Sequence, residues 1–146
     1  MNRPTVSTLL SALFTLLLSA LPAGAQQDQG FETAARSLAR LERLACQLAS
    51  GITQQVNERG IASEDMREEI AVSTAESLQR ATVCLKRRFF DGAESGELQD
   101  RILELDQLAE RVECAGARLG LYGHLREKLA AFLNERDWLK RQYGLN

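Results

Sequence analysis

The chain has 146 residues, with 18 Lys and Arg against 20 Asp and Glu, a formal net charge of −2, three cysteines and a single histidine. A balance so close to neutral gives no electrostatic pull towards nucleic acid or anionic lipid. The length suits one domain with one modest core and leaves no room for a second.

Met1-Asn2-Arg3 is followed by an apolar run from Val6 to Leu21, by Pro22, and by Ala23-Gly24-Ala25 ahead of the polar Gln26-Gln27-Asp28. A positive start, a short apolar core and small residues two apart are the pattern of a secretory signal peptide, here residues 1–25, with cleavage expected after Ala25. The core from Leu9 to Leu21 is only about 13 residues, against the ~20 needed to cross a bilayer, so no stable membrane anchor is expected once the leader is removed. The remainder, 26–146, is read as a single periplasmic or secreted helical domain. Losing Arg3 makes its charge −3, and both prolines go with the leader. A proline-free chain rich in Leu, Ala, Glu and Arg favours an all-α fold.

Four helices are predicted. After a polar tail at Gln26 to Gly30, the first runs from about Phe31 to Asn57, with Glu32 in its first turn and Gly60 as its stop. Leu38, Leu41, Ala45, Leu48 and Ile52 recur at steps of three and four, widened by Leu44 and Val56, and give it one apolar side. Ala35, Ala39, Cys46 and Ala49 form a small-residue flank suited to close helix approach. The second helix starts after Ser63 as N-cap, with acids in its first turn and Lys86, Arg87 and Arg88 in its last. Its predicted stripe is Met66, Ile70, Thr74, Leu78, Ala81, Leu85 and Phe89. A turn at Asp91 to Gly96 leads to the third, from about Glu97 to Ala115, with Leu98, Ile102, Leu105, Ala109 and Val112 inward and a Glu97–Arg101 pair outside. Gly116, Gly120 and Gly123 turn the chain into the fourth, about Leu121 to Tyr143, with the stripe Leu121, Leu125, Leu129, Phe132, Leu139 and Tyr143. Short connections imply an up-down-up-down four-helix bundle.

In such a bundle the cysteines can be ranked by height. Cys46 and Cys84 would differ by roughly 15 Å, and Cys84 and Cys114 by roughly 18 Å, at 1.5 Å per residue. Cys46 and Cys114 agree within ~3 Å, so they are the expected disulfide, with Cys84 left as a buried thiol. Closing that loop would add roughly 4 kcal/mol in the chain-entropy model.

Little in the sequence points to catalysis. His124, the only histidine, has no carboxylate or nucleophile at a diagnostic spacing, and metal motifs such as C-x-x-C and H-x-x-x-H are missing from the sequence. Acid pairs such as Glu68-Glu69 point in different directions and make no general acid/base pair. No cofactor is expected. The leading expectation is a non-enzymatic exported bundle acting through protein contacts, as an adaptor, assembly factor, inhibitor or chaperone for an unidentified protein partner. The alternative is a carrier of a small apolar ligand or a b-type haem in the bundle interior, with Met66 and His124 as axial ligands. A heptad line off the fourth helix's main stripe, His124, Ala131, Trp138 and Leu145, is the expected partner or self-association surface, with Trp138 as its anchor.

Overall fold

The computed structural model describes residues 23–59 and 66–145. Among these there are four helices and no strand: α1 (Ala23–Glu58), α2 (Met66–Phe90), α3 (Ser95–Leu119) and α4 (Gly123–Gln142). The helices pack together around a leucine-rich interior, as the all-α expectation requires. The chain divides into two compact units, Met1–Thr33 and Ala34–Asn146. In the first unit, the described backbone is the opening of α1, where the Thr33 hydroxyl donates to the Gln29 carbonyl at 2.7 Å. The expected leader lies almost wholly outside the described residues. Its last three, Ala23 to Ala25, begin α1, so the polar tail expected at Gln26 to Gly30 is helical. Gln and Asp tolerate helix, and one glycine costs only about 1 kcal/mol, so nothing in that stretch stops propagation. Glu32 consequently lies well inside α1 and not in its first turn.

In the second unit, α1 buries Leu38, Leu41, Leu44, Ala45, Leu48 and Ile52, as its spacing predicts. Of its small-residue flank, Ala49 is buried and Ala35 half-buried, whereas Ala39 and Cys46 are exposed. α3 buries its predicted stripe, and the fourth stripe is buried from Leu121 to Leu139, with Phe132 and Leu139 fully enclosed, while Tyr143, just past α4, is only half-buried.

α2 meets its expected stripe only in part, with Leu78 and Leu85 buried and Ala81 and Phe89 half-buried against the core. It buries Glu68, Ala71, Ala75, Leu78, Thr82 and Leu85, while Met66 is 72% and Ile70 is 51% exposed. The helix is rotated so that its alanines face inward, because small side chains let it approach its neighbours closely and the larger pair would not fit there. The Ser63 cap lies outside the described residues.

The glycine cluster also divides its work differently from the simple turn expected. Gly116 lies inside α3 and is buried; a Cβ there would stand 2.6 Å from Leu121 Cδ1. Gly120 is the terminator, in the left-handed conformation at φ 63°, and its N–H donates to the Gly116 carbonyl. α3 is therefore one turn longer than predicted. The outer Glu97–Arg101 pair is replaced by Arg101 with Glu104 at 3.0 Å, leaving Glu97 to meet Arg88 of α2 at 2.9 Å.

Side-chain bonds tie the helices at several levels. Lys86 of α2 donates to Glu42 of α1, and Gln47 and Arg40 of α1 meet Lys128 and Glu135 of α4 at 2.9 and 3.5 Å. Gln99 of α3 donates to the Tyr143 carbonyl at 3.0 Å. At the end of α1, Gln55 is nearly fully buried and clamps the α3–α4 turn. Its Nε2 donates to the Gly120 carbonyl at 3.2 Å, and its Oε1 accepts from the Tyr122 N–H at 3.0 Å. Arg59 adds a bond from Nη2 to the Leu119 carbonyl at 2.6 Å.

Candidate functional site

The expected Cys46–Cys114 bridge is not formed: Cys46, Cys84 and Cys114 are all free. Both expected partners are exposed, Cys46 on α1 and Cys114 on α3. Cys46 lines a surface groove with Glu76 and Gln79 of α2, which fixes it on the α2 side of α1. Cys84 is half-buried, where a buried thiol was expected. It lies within electrostatic reach of Arg101 on α3, whose pKa is raised by its hydrogen bond to Glu104 first and by Cys84 next.

The proposed heptad line on α4 is only partly open. Ala131, Trp138 and Leu145 are half-buried and rest against the core, and His124 alone is exposed. The His124 ring lies 6.2 Å from that of Tyr122, tilted by 42°. Beside Trp138 is a charge cluster that the spacing rules did not reveal. The Asp106 carboxylate of α3 meets Arg136 Nη1 at 3.1 Å and Lys140 Nζ at 2.7 Å, and Arg136 Nη2 also meets Asp137 at 2.7 Å. Arg136, Asp106 and Lys140 are mostly shielded from water, and each has its counter-charge, so the cluster latches α3 to α4 and presents no unsatisfied group to a ligand. Glu127-type surface acids apart, an i, i+4 search on α4 pairing Arg136 with Lys140 was the available signal for two cations on one face.

Met66 and His124, the conceivable axial ligands of an interior haem, both stand at the surface. The space between the helices is filled by Leu41, Leu48, Leu78, Leu105, Leu125 and Phe132, all with essentially no solvent exposure. Among the described residues no group of three His, Cys, Asp or Glu side chains is placed to hold a metal ion. No helix among them is long and apolar enough to cross a membrane.

Exposed large apolar side chains concentrate on α2. Met66, Ile70, Val83 and Phe90 are four of the seven large apolar side chains exposed among the described residues. Phe90 packs edge-on against Phe89, with centroids 5.5 Å apart. A hollow of about 560 Å³ lies on this helix, lined by Glu76, Gln79, Arg80, Val83, Cys84 and Arg87. A smaller apolar groove of about 400 Å³ lies between α3 and α4, floored by Gly116, Leu121, Leu129 and Leu133. The alternative stripe through Ala71, Ala75, Leu78, Thr82 and Leu85 was present in the sequence at steps of four and three. Met66 and Ile70 are the more apolar residues by type, so apolar periodicity favours the stripe that contains them over one through two alanines. The chain matches no family model, and neither a curated protein nor a solved structure matches it.

Proposed function

We propose that this chain is an exported, non-enzymatic up-down-up-down helical bundle that acts by protein contact through the outward side of α2. The concentration of exposed large apolar residues on that one helix carries the reading. Single exposed apolar residues are ordinary, whereas four on one helix, Met66 with Ile70 at its start and Val83 with Phe90 towards its end, are a concentration of the kind interaction surfaces carry. The up-down order is supported by contacts that run oppositely along neighbouring helices. Arg59, just past the end of α1, lies 4.0 Å from Glu68, early in α2, while Glu42 meets Lys86 near the end of α2. In α3 and α4, Gln99 meets Tyr143 while Gly116 packs on Leu121.

Export rests on the sequence pattern of residues 1–25; cleavage after Ala25 would leave α1 to begin at Gln26. The mature net charge of −3 and the mixed surface charges favour a protein partner over nucleic acid or a lipid surface. The α4 line through Trp138 is a second contact region on this reading, narrower because Trp138 already rests on the core.

The test is affinity capture with the tagged protein in its native compartment, comparing wild type with Met66→Asp and Ile70→Asp. Both residues are exposed, so the substitutions leave the core intact. Loss of a specific captured protein in both variants supports the reading, and capture unchanged by either contradicts it.

A further inference from the structure

The exposed face of α2 is self-complementary when the helix is laid antiparallel against its own copy. Met66, Glu69, Ser73, Glu76, Arg80, Val83, Arg87 and Phe90 follow one another at alternating steps of three and four, which places them along one narrow seam. All eight are exposed. The two acids occupy the first half of the seam and the two arginines the second.

We propose that a second copy of this chain docks on this face, α2 against α2, about a two-fold axis at the level of Leu78. That axis sets Met66 opposite Phe90 of the second copy, Glu69 opposite Arg87, Ser73 opposite Val83 and Glu76 opposite Arg80. Each of these contacts occurs twice, as an isologous interface requires. Opposite charges meet at both ion-pair levels, and the large apolar residues meet each other at the two ends.

Nearer the axis the side chains are smaller or polar, and Ser73 leaves room over the hollow beside Val83. Arg80 already lies 3.8 Å from Glu76 of its own helix, so docking joins two such pairs into a cluster of four alternating charges. In the parallel arrangement Glu69 and Glu76 would face their own copies, as would Arg80 and Arg87, so repulsion at every charged level selects the antiparallel one.

The inference sharpens the reading of a protein that acts by contact, since it names the chain itself as one partner. Exposed ion pairs and a few apolar contacts make a weak association that salt loosens.

Sedimentation equilibrium of the purified protein at low ionic strength, up to about 1 mM, tests it. Wild type is expected to dimerise. The variants Glu69→Arg/Glu76→Arg and Arg80→Glu/Arg87→Glu are each expected to lose association at least tenfold, and an equimolar mixture of the two is expected to recover it. The fourfold variant that exchanges all these charges is expected to dimerise alone, and far-ultraviolet circular dichroism restricts the comparison to folded protein. A monomeric wild type at the highest concentration, a dimer indifferent to either charge reversal, or a mixture that stays monomeric would each overturn the proposal. A monomeric wild type whose capture of another protein still depends on Met66 and Ile70 overturns the dimer alone; a dimer that captures nothing else overturns the broader reading alone.

Discussion

At position 116 a glycine sits where α3 and the start of the next segment touch, and the missing side chain is the reason they can. Leu121 is buried, so its Cδ1 cannot easily give way to a new Cβ 2.6 Å off. Gly116→Ala should gain about 1 kcal/mol of helix propensity and lose more to overpacking, for a net destabilisation of about 1–2 kcal/mol. Gly96, also in α3, has open space around it, so Gly96→Ala should be neutral or stabilising by up to about 1 kcal/mol. Urea unfolding of the two variants gives opposite shifts on this account.

Tyr143 offers a second check, because burial raises its phenol pKa above the ordinary value of 10.0. A raised folded-state pKa favours the protonated folded protein. The stabilisation is fully present below the unfolded-state pKa and is lost as pH rises through the folded value. Stability should therefore fall above about pH 10, and Tyr143→Phe should flatten that fall in pH-dependent thermal melts.

Among the helices, the join between α1 and the α3–α4 turn is where local sequence rules run out. Gln55 is polar by type but continues the stripe's spacing three residues after Ile52; it is buried and bonds both a carbonyl and an N–H of a turn more than 60 residues away. With the apolar isostere Gln55→Leu, two backbone groups lose their partners, which should cost about 1–3 kcal/mol. Amide hydrogen exchange should then accelerate most at Tyr122; protection there as in wild type would show that the clamp is incidental.

The same element scale shows what the sequence could and could not reveal. The apolar periods of α1, α3 and α4 were legible because leucines dominate one face of each, and transfer energy alone orients such a helix. On α2 only Leu78 and Leu85 were legible, because the rest of its inward face is Ala71, Ala75 and Thr82, whose placement depends on how closely the neighbouring helices come. For the cysteines, counting residues gives height along a bundle, whereas the direction of a side chain about the helix axis depends on which neighbours close around it; Cys46 and Cys114 are both free and exposed.

For the whole molecule, the interior is closed and latched, with α3 and α4 tied through Asp106 and with Glu42, Gln47 and Gln55 tying α1 to the others. Recognition, on the account proposed, falls to the one helix whose larger apolar residues were displaced outward by its alanines. The site thus follows from packing, which is why no motif announced it. The most direct measurement of that claim is photo-cross-linking in the native host with p-benzoylphenylalanine in place of exposed Ile70, read by mass spectrometry of the adducts. The account predicts a discrete protein adduct on a chain that begins at Gln26, and none from the same probe at Arg118 of α3. Adducts equally abundant from both positions, none from Ile70, or a cross-linked chain that still carries residues 1–25 would contradict it.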